Sequence, residues 1–337
     1  MRRYLLCNVA LSSVGLIGLI ASHGGAEPAN GKVSAAYASI DRAIVPLAKS
    51  IEVYPTKVSC FSCHHQGAPG LALRLALKAG HATAREPLQK ALAHTRDDLK
   101  RDIKLYTDGD GQPGGISRAG YAMLALSANE EPKSAVTDAV AAYVLRRDPD
   151  QPYWKARSNR PPSEHSSFTD TALSIRTLKL YGDATKTTQI AGRIEKAMAW
   201  LQATPVTEHE DRVFKLMGLY EAGGRGTTLS SAADDLLKTQ GKDGGWAQLD
   251  GAGEDVYATA TAVYALLSSG VAKPGDRALM RAELYLLKAQ LPDGTWHVTT
   301  RAKPVQPYFE SGFPHVKDQF ISITATAWAI AALSFYN

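Results

Sequence analysis

Two short words recur along this chain, and they restrict it to a stack of helical hairpins. Thr169-Asp170-Thr171-Ala172, Thr259-Ala260-Thr261-Ala262 and Thr324-Ala325-Thr326-Ala327 each open a stretch of alanines and large apolar residues. Small residues all round a helix imply close neighbours on several sides, so these segments read as buried helices. A second word precedes two of them. Leu236-Leu237-Lys238-Thr239-Gln240 leads to Asp243-Gly244-Gly245-Trp246, and Leu286-Leu287-Lys288-Ala289-Gln290 leads to Asp293-Gly294-Thr295-Trp296. In each, an amphipathic helix ends, Asp-Gly makes a turn, and a tryptophan plugs the gap before the next helix. An eroded copy, Asp108-Gly109-Asp110-Gly111, precedes the small-residue helix that includes Ser117. Asp108, Asp110 and Gln112 superficially match a calcium loop, but Ala119 stands where its closing glutamate belongs.

Helical signals run to the C-terminus and strand alternation is almost absent. The pattern gives about six outer helices, starting near residues 32, 84, 133, 186, 228 and 275. Each is followed by a more apolar inner helix, near 67, 116, 168, 211, 255 and 319. A single hairpin leaves an apolar face open, so neighbours must stack. An open stack needs polar ends, yet the last helix, Ile321 to Phe335, is strongly apolar and needs a partner on both sides. Closing the ring supplies one. The expected fold is all-α, an (α/α)6 toroid over residues 32–337.

The N-terminus has the parts of a secretory signal peptide: Arg2-Arg3, an apolar run to about Ile20-Ala21, and small residues before Glu27. Cleavage after Ala26 would leave a short linker, 27–31, and an exported protein, periplasmic or secreted. The alternative is an uncleaved membrane anchor, for which the apolar run is short; after cleavage no stable membrane span is expected. Removing residues 1–26 takes Arg2 and Arg3 and no acid, so the formal charge falls from +5 to +3. Charges of both signs are interspersed, which excludes a nucleic-acid-binding surface of the usual kind. Cleavage also removes Cys7, leaving Cys60 and Cys63 as one local device rather than a disulfide framework.

The Gln-x-x-Asp-Gly-x-Trp words resemble the QW repeats of squalene–hopene cyclases, and the helical pairing resembles the wider terpenoid cyclase and protein prenyltransferase α/α-toroid group. The likeness covers most of the chain after the N-terminus and is strongest over 228–337. It implies the toroid fold. Those cyclases protonate their substrate with an Asp-x-Asp-Asp-Thr-Ala motif on an inner helix. The matching stretch here is Ser167-Phe168-Thr169-Asp170-Thr171-Ala172. Its third Asp survives as Asp170, but Thr169 stands where the acid that carries the proton should be. A hydroxyl cannot protonate an alkene, so the usual cyclase mechanism is not expected. The prenyltransferases hold zinc with Asp, Cys and His on the ring, whereas both cysteines left after cleavage lie near the N-terminus.

The sharpest chemical signal is Cys60-Phe61-Ser62-Cys63-His64. Cys-x-x-Cys-His is the attachment sequence for c-type haem: two thiols add to the two vinyl groups and the adjacent histidine reaches the iron. Rival readings are a Cys60–Cys63 disulfide in an oxidising compartment, a zinc site sharing Cys60, Cys63, His64 and His65, and a thiol–disulfide redox pair, for which the expected βαβ context is missing. Every outer-to-inner connection lies at one end of the ring, so His165, His209, His297 and His315 gather at the mouth that carries the motif. His315 is the first candidate for a second axial ligand and His165 the alternative. His81 and His94, at the other end or on an outer helix, are set aside. Asp170 occupies a slot where the aligned copies have alanine. It could complement the helix dipole or act as a functional acid facing the cavity, with Arg176 as its partner.

The leading reading is therefore an exported toroid with one covalent haem at its mouth, acting in redox with a periplasmic partner or in ligand binding. The alternatives are a haem-free binding or scaffold module, and a divergent toroid enzyme acting on an apolar, terpenoid-like small molecule.

Overall fold

The computed structural model describes residues 34–336; the signal-peptide and linker segments and Cys7 lie outside the described residues. The six outer helices are α1 (Ala35–Lys57), α3 (Arg85–Arg101, continued by the short α4, Ile103–Asp108), α6 (Ala135–Arg146), α8 (Thr187–Ala203), α10 (Thr227–Leu237) and α12 (Arg277–Ala289). The six inner helices are α2 (Ala68–Lys78), α5 (Gly115–Ala128), α7 (Ser167–Tyr181), α9 (His209–Glu221), α11 (Val256–Ser268) and α13 (Gln319–Leu333). Observed helix starts lie within a few residues of those expected from the repeats.

Each inner helix packs on the next, α2 on α5, α5 on α7, α7 on α9, α9 on α11 and α11 on α13, and α13 returns to α2 while α12 meets α1. The ring is closed, as the apolar last helix required. Small residues permit this approach: a Cβ on Gly120 of α5 would lie 2.8 Å from Leu173 Cβ on α7. The inner helices are buried nearly all round, and α13 exposes little beyond its ends. No helix among the described residues is long and apolar enough to cross a membrane.

The repeated words act as joints between hairpins. Trp246 Nε1 donates to Leu236 O at 2.9 Å and Trp296 Nε1 to Leu286 O at 2.7 Å, so each indole ring is pinned to a carbonyl in the last turn of the preceding outer helix. Their backbone amides donate to the inner-helix threonines Thr259 and Thr326. Thr259 is the first threonine of its word and Thr326 the second, so the word slides by two residues between copies. A third joint escaped the sequence pattern because its turn has lost the Asp-Gly. Trp154 Nε1 donates to Val144 O at 2.8 Å and its amide to Thr171 Oγ1 at 3.1 Å. Gln240 and Gln290 reach across to the next hairpin, their Nε2 atoms donating to Ala278 O and Ser39 O. Gln290 therefore ties the last joint to the first helix. Gly294 sits at φ +85°, and a Cβ there would collide with the carbonyl of Arg42, so this turn admits only glycine.

Candidate functional site

All six outer-to-inner connections open at one end of the ring. At the first, residues 63–67 form one π-helical turn leading into α2. Ser62 caps it, its Oγ accepting from the amides of His64 and His65. This places the Cys-x-x-Cys-His residues on a rigid turn against the inner ring. Cys60 is half-buried, Cys63 is buried, and both are free thiols. Burial, with the Glu164 carboxylate nearby, pushes the Cys63 thiol well above its ordinary range. His64 Nδ1 lies 3.6 Å from Glu164 Oε1. Burial holds this imidazole below its ordinary pKa although the carboxylate opposes the shift. Tyr54 Oη lies 3.7 Å from Cys60 Sγ.

His65 is fully buried and stacks on Tyr54 at 4.1 Å between ring centroids. Its Nδ1 meets Ser62 Oγ, while its Nε2 and the Nε2 of buried Gln66 have no hydrogen-bond partner among the described residues. His94, set aside on sequence grounds, belongs to this site: its Nε2 is 3.2 Å from Cys60 O. The outer helix α3 packs against the π-helical turn, and that proximity has no local sequence signal.

The other mouth histidines take different partners. His315 Nε2 meets Thr295 Oγ1 at 2.8 Å and its ring lies beside His297. His165 Nε2 pairs with Glu208 at 3.2 Å. The last connection does return to the motif, as ring closure required. The residue it brings there is Phe309, against Tyr54, rather than His315, and the head of α13 adds Phe320, against His64 and His65. Among the described residues no group of three or more His, Cys, Asp or Glu side chains is placed to hold a metal ion, so the donors of the zinc reading do not converge. The turn fits haem attachment in donor chemistry: two free thiols and a histidine whose Nδ1 faces a carboxylate, beside two buried nitrogens without a hydrogen-bond partner among the described residues.

A second constellation lies deeper, at the mouth ends of α5, α7, α9 and α11. Asp170 is 1% exposed, and its Oδ2 accepts from Ser117 Oγ at 2.9 Å. The expected partner Arg176 instead binds Glu221 at 2.6 Å and Ser127. Six residues along a helix are about 9 Å of rise, which carries Arg176 toward the other end of the ring. Thr169 Oγ1 donates to Glu210 Oε1 at 3.1 Å, and Tyr257 Oη donates to Glu210 Oε2 at 3.0 Å. Glu210 is also 1% exposed. Among the described residues neither Asp170 nor Glu210 is in an ion pair; their side-chain partners are hydroxyls. Burial pushes both carboxyl groups up to about 8, against which the hydroxyl hydrogen bonds act only in part. Glu210 is the functional candidate that the sequence pattern missed. Its one local signal is His209-Glu210-Asp211 at the head of a helix that is otherwise inner-ring in character. His209 beside it is held neutral, its pKa lowered to about 3 by burial.

The long connection 298–318 lies across the mouth. Arg301 binds Glu208 and Gln248, Ser311 O accepts from Ser50, and Phe309 covers Tyr54. The carboxyl centre itself is closed from solvent, Asp170 and Glu210 being almost wholly buried.

No protein-family model and no curated protein matches this sequence. Solved structures do. The type II terpene cyclase MstE from Scytonema superposes with a TM-score of 0.55 at 16% identity, covering 89% of this chain and 98% of that one. A variant of the same cyclase with geranylgeranyl dihydroxybenzoate as substrate gives 0.52 at 14%, covering 88% and 98%. A possible GH105-family member from Salmonella enterica gives 0.58 at 11%, covering 92% and 96%. Identities this low establish architecture alone, and by that measure the chain is an α/α toroid.

Proposed function

We propose that this protein is a divergent α/α-toroid enzyme that protonates an apolar substrate from a neutral carboxylic acid at the mouth end of its inner ring. One observation carries the reading. Thr169 stands where the resembling cyclases have their acid, and the Thr169 hydroxyl is bonded to the carboxyl group of Glu210, delivered from the neighbouring helix. With Asp170, the centre holds two carboxyl groups. Buried acids with no cationic partner cost the fold stability, which is a reason to look for a use for them. Glu210 is the proton donor: its proton passes to an electron-rich carbon of the substrate, and the carboxylate left behind is stabilised by Thr169 and Tyr257. Asp170, held by Ser117, is the second acid of the centre.

The test is turnover of linear polyprenyl compounds, including geranylgeranyl dihydroxybenzoate, the substrate of the Scytonema cyclase. Glu210→Gln and Asp170→Asn should each lower product formation by roughly 10²–10⁴-fold. Unchanged turnover in the double variant would sink the reading.

The Cys-x-x-Cys-His turn favours a second role at the same mouth, covalent haem, in an exported chain that meets a redox partner. Cys60 and Cys63 would form the thioether links, and His64, with Nδ1 facing Glu164, would present Nε2 to the iron. Bound haem supplies one-electron chemistry. Expressed in an exporting host with haem-attachment machinery, the chain should gain the mass of one haem and its absorbance, and Cys60→Ser with Cys63→Ser should abolish both. A colourless chain at bare polypeptide mass rules this role out.

A further inference from the structure

Outside both constellations, the end of α6 and the connection that follows it enclose a cleft of about 370 Å³. Gly109, Tyr143, Arg146, Arg147, Asp148 and Arg157 are among its walls. Two of its cations are committed. Arg146 Nη2 donates to the carbonyls of Tyr106 and Thr107 at 3.0 and 3.2 Å. Arg157 forks onto Asp148 and neutralises it, which holds that carboxyl below its usual range despite partial burial.

Arg147 is different. It is in no ion pair among the described residues, and its Nε is buried with no hydrogen-bond partner. Tyr143 is 1% exposed, and its Oη likewise is buried without a partner. The Arg147 guanidinium lies 5.8 Å from the Tyr143 ring centre. Two donors of neighbouring residues thus lack an acceptor in the chain, a costly state that a ligand would relieve.

The wall is built rigidly. Arg193, 8% exposed on α8, donates to the backbone carbonyls of Arg147, Asp148, Gln151 and Tyr153 and lies 4.3 Å over the Trp154 ring. Asp148 is held at φ +49°, a conformation most residues avoid. Gly111 leaves the space beside Tyr143 clear, since a Cβ there would lie 2.7 Å from Oη.

The geometry points to a binding site for the oxyanion group of a small molecule, with Arg147 and Tyr143 as its donors and Arg146 supplying positive potential; the Arg157–Asp148 pair adds no net charge, and the one other carboxylate of the lining, Asp150, is exposed at the rim. The cleft exceeds a single phosphate and suits a small molecule that carries one. A cationic ligand would leave Arg147 uncompensated.

The probes are inorganic phosphate, pyrophosphate and citrate, titrated calorimetrically into the whole chain at constant ionic strength. Saturable binding of at least one is expected, weakened roughly tenfold or more in Arg147→Gln. Tyr143→Phe, which preserves the packing, should weaken it several-fold. Preference for pyrophosphate over citrate identifies a phosphate group, and the reverse a carboxylate. No saturation with any probe, or equal affinity in wild type and a folded Arg147→Gln, overturns the assignment. If Arg147→Gln fails to fold, Tyr143→Phe binding at wild-type strength overturns it instead.

Discussion

Glu210→Gln and Asp170→Asn should make the protein more stable than wild type at alkaline pH, by a margin that grows as the pH is raised. Both carboxyl groups titrate near 8 in the folded chain, against roughly 4 in an unfolded one. Their folded pKa values are raised, so the folded state holds the protons more tightly. Stability from these groups is fully present below about pH 4 and is lost as the pH rises through about 8. An amide mimics the protonated form at every pH and loses nothing. The gap between variant and wild type should widen by up to about 1.4 kcal/mol per pH unit for each group and level off above about pH 8.

The neighbours that modulate this titration are Glu164, Asp148 and Arg157 around Asp170, and Asp211, Glu208 and Tyr257 around Glu210. Histidines held neutral by burial, such as His65 and His209, give wild type and variants the same opposite slope at acid pH, and it cancels in the difference. Urea unfolding at several pH values between 5 and 9 measures the gap. Parallel stability curves for wild type and double variant would show that the carboxyl groups are ionised in the fold and would remove the general-acid proposal with them.

Trp296→Ala should be the most destabilising single change at a joint, costing about 3–5 kcal/mol. The indole is wholly buried, so alanine leaves a cavity in a packed interior. It also removes the Nε1 donor to Leu286 O, at the end of α12. Trp296→Phe separates the two losses: it keeps most of the volume and gives up the hydrogen bond, so about 1–3 kcal/mol should remain. Denaturant midpoints of the three proteins test this. A loss under about 1 kcal/mol in Trp296→Ala would mean that the joint does not hold the hairpins together.

The architecture was legible because packing writes itself locally. Alanine and threonine at the head of an inner helix, and Gln-x-x-Asp-Gly-x-Trp between hairpins, each report a contact made by the residues of the word itself. The site was legible only where its chemistry was contiguous. Cys60, Cys63 and His64 stood out, and Asp170 did because its aligned slots hold alanine. Glu210 did not, because what marks it is a hydroxyl on another helix, 41 residues away. His94 was hidden for the same reason, since it reaches the motif through the packing of an outer helix. Arg176 was mistaken for Asp170's partner because a shared helix says nothing about which neighbour each side chain meets. Trp154 shows the limit in the other direction: the joint outlived the turn residues by which such joints are recognised.

The bond from Gln290 to Ser39 removes the distinction between terminal and internal repeats. In a linear array the outermost unit has one neighbour and frays first. Here the first and last hairpins each have two, so peeling any one of them opens two interfaces at once. Circular closure makes loss of structure collective, and a chain cut within a surface turn and rejoined near residues 34 and 336 would keep the same neighbours throughout.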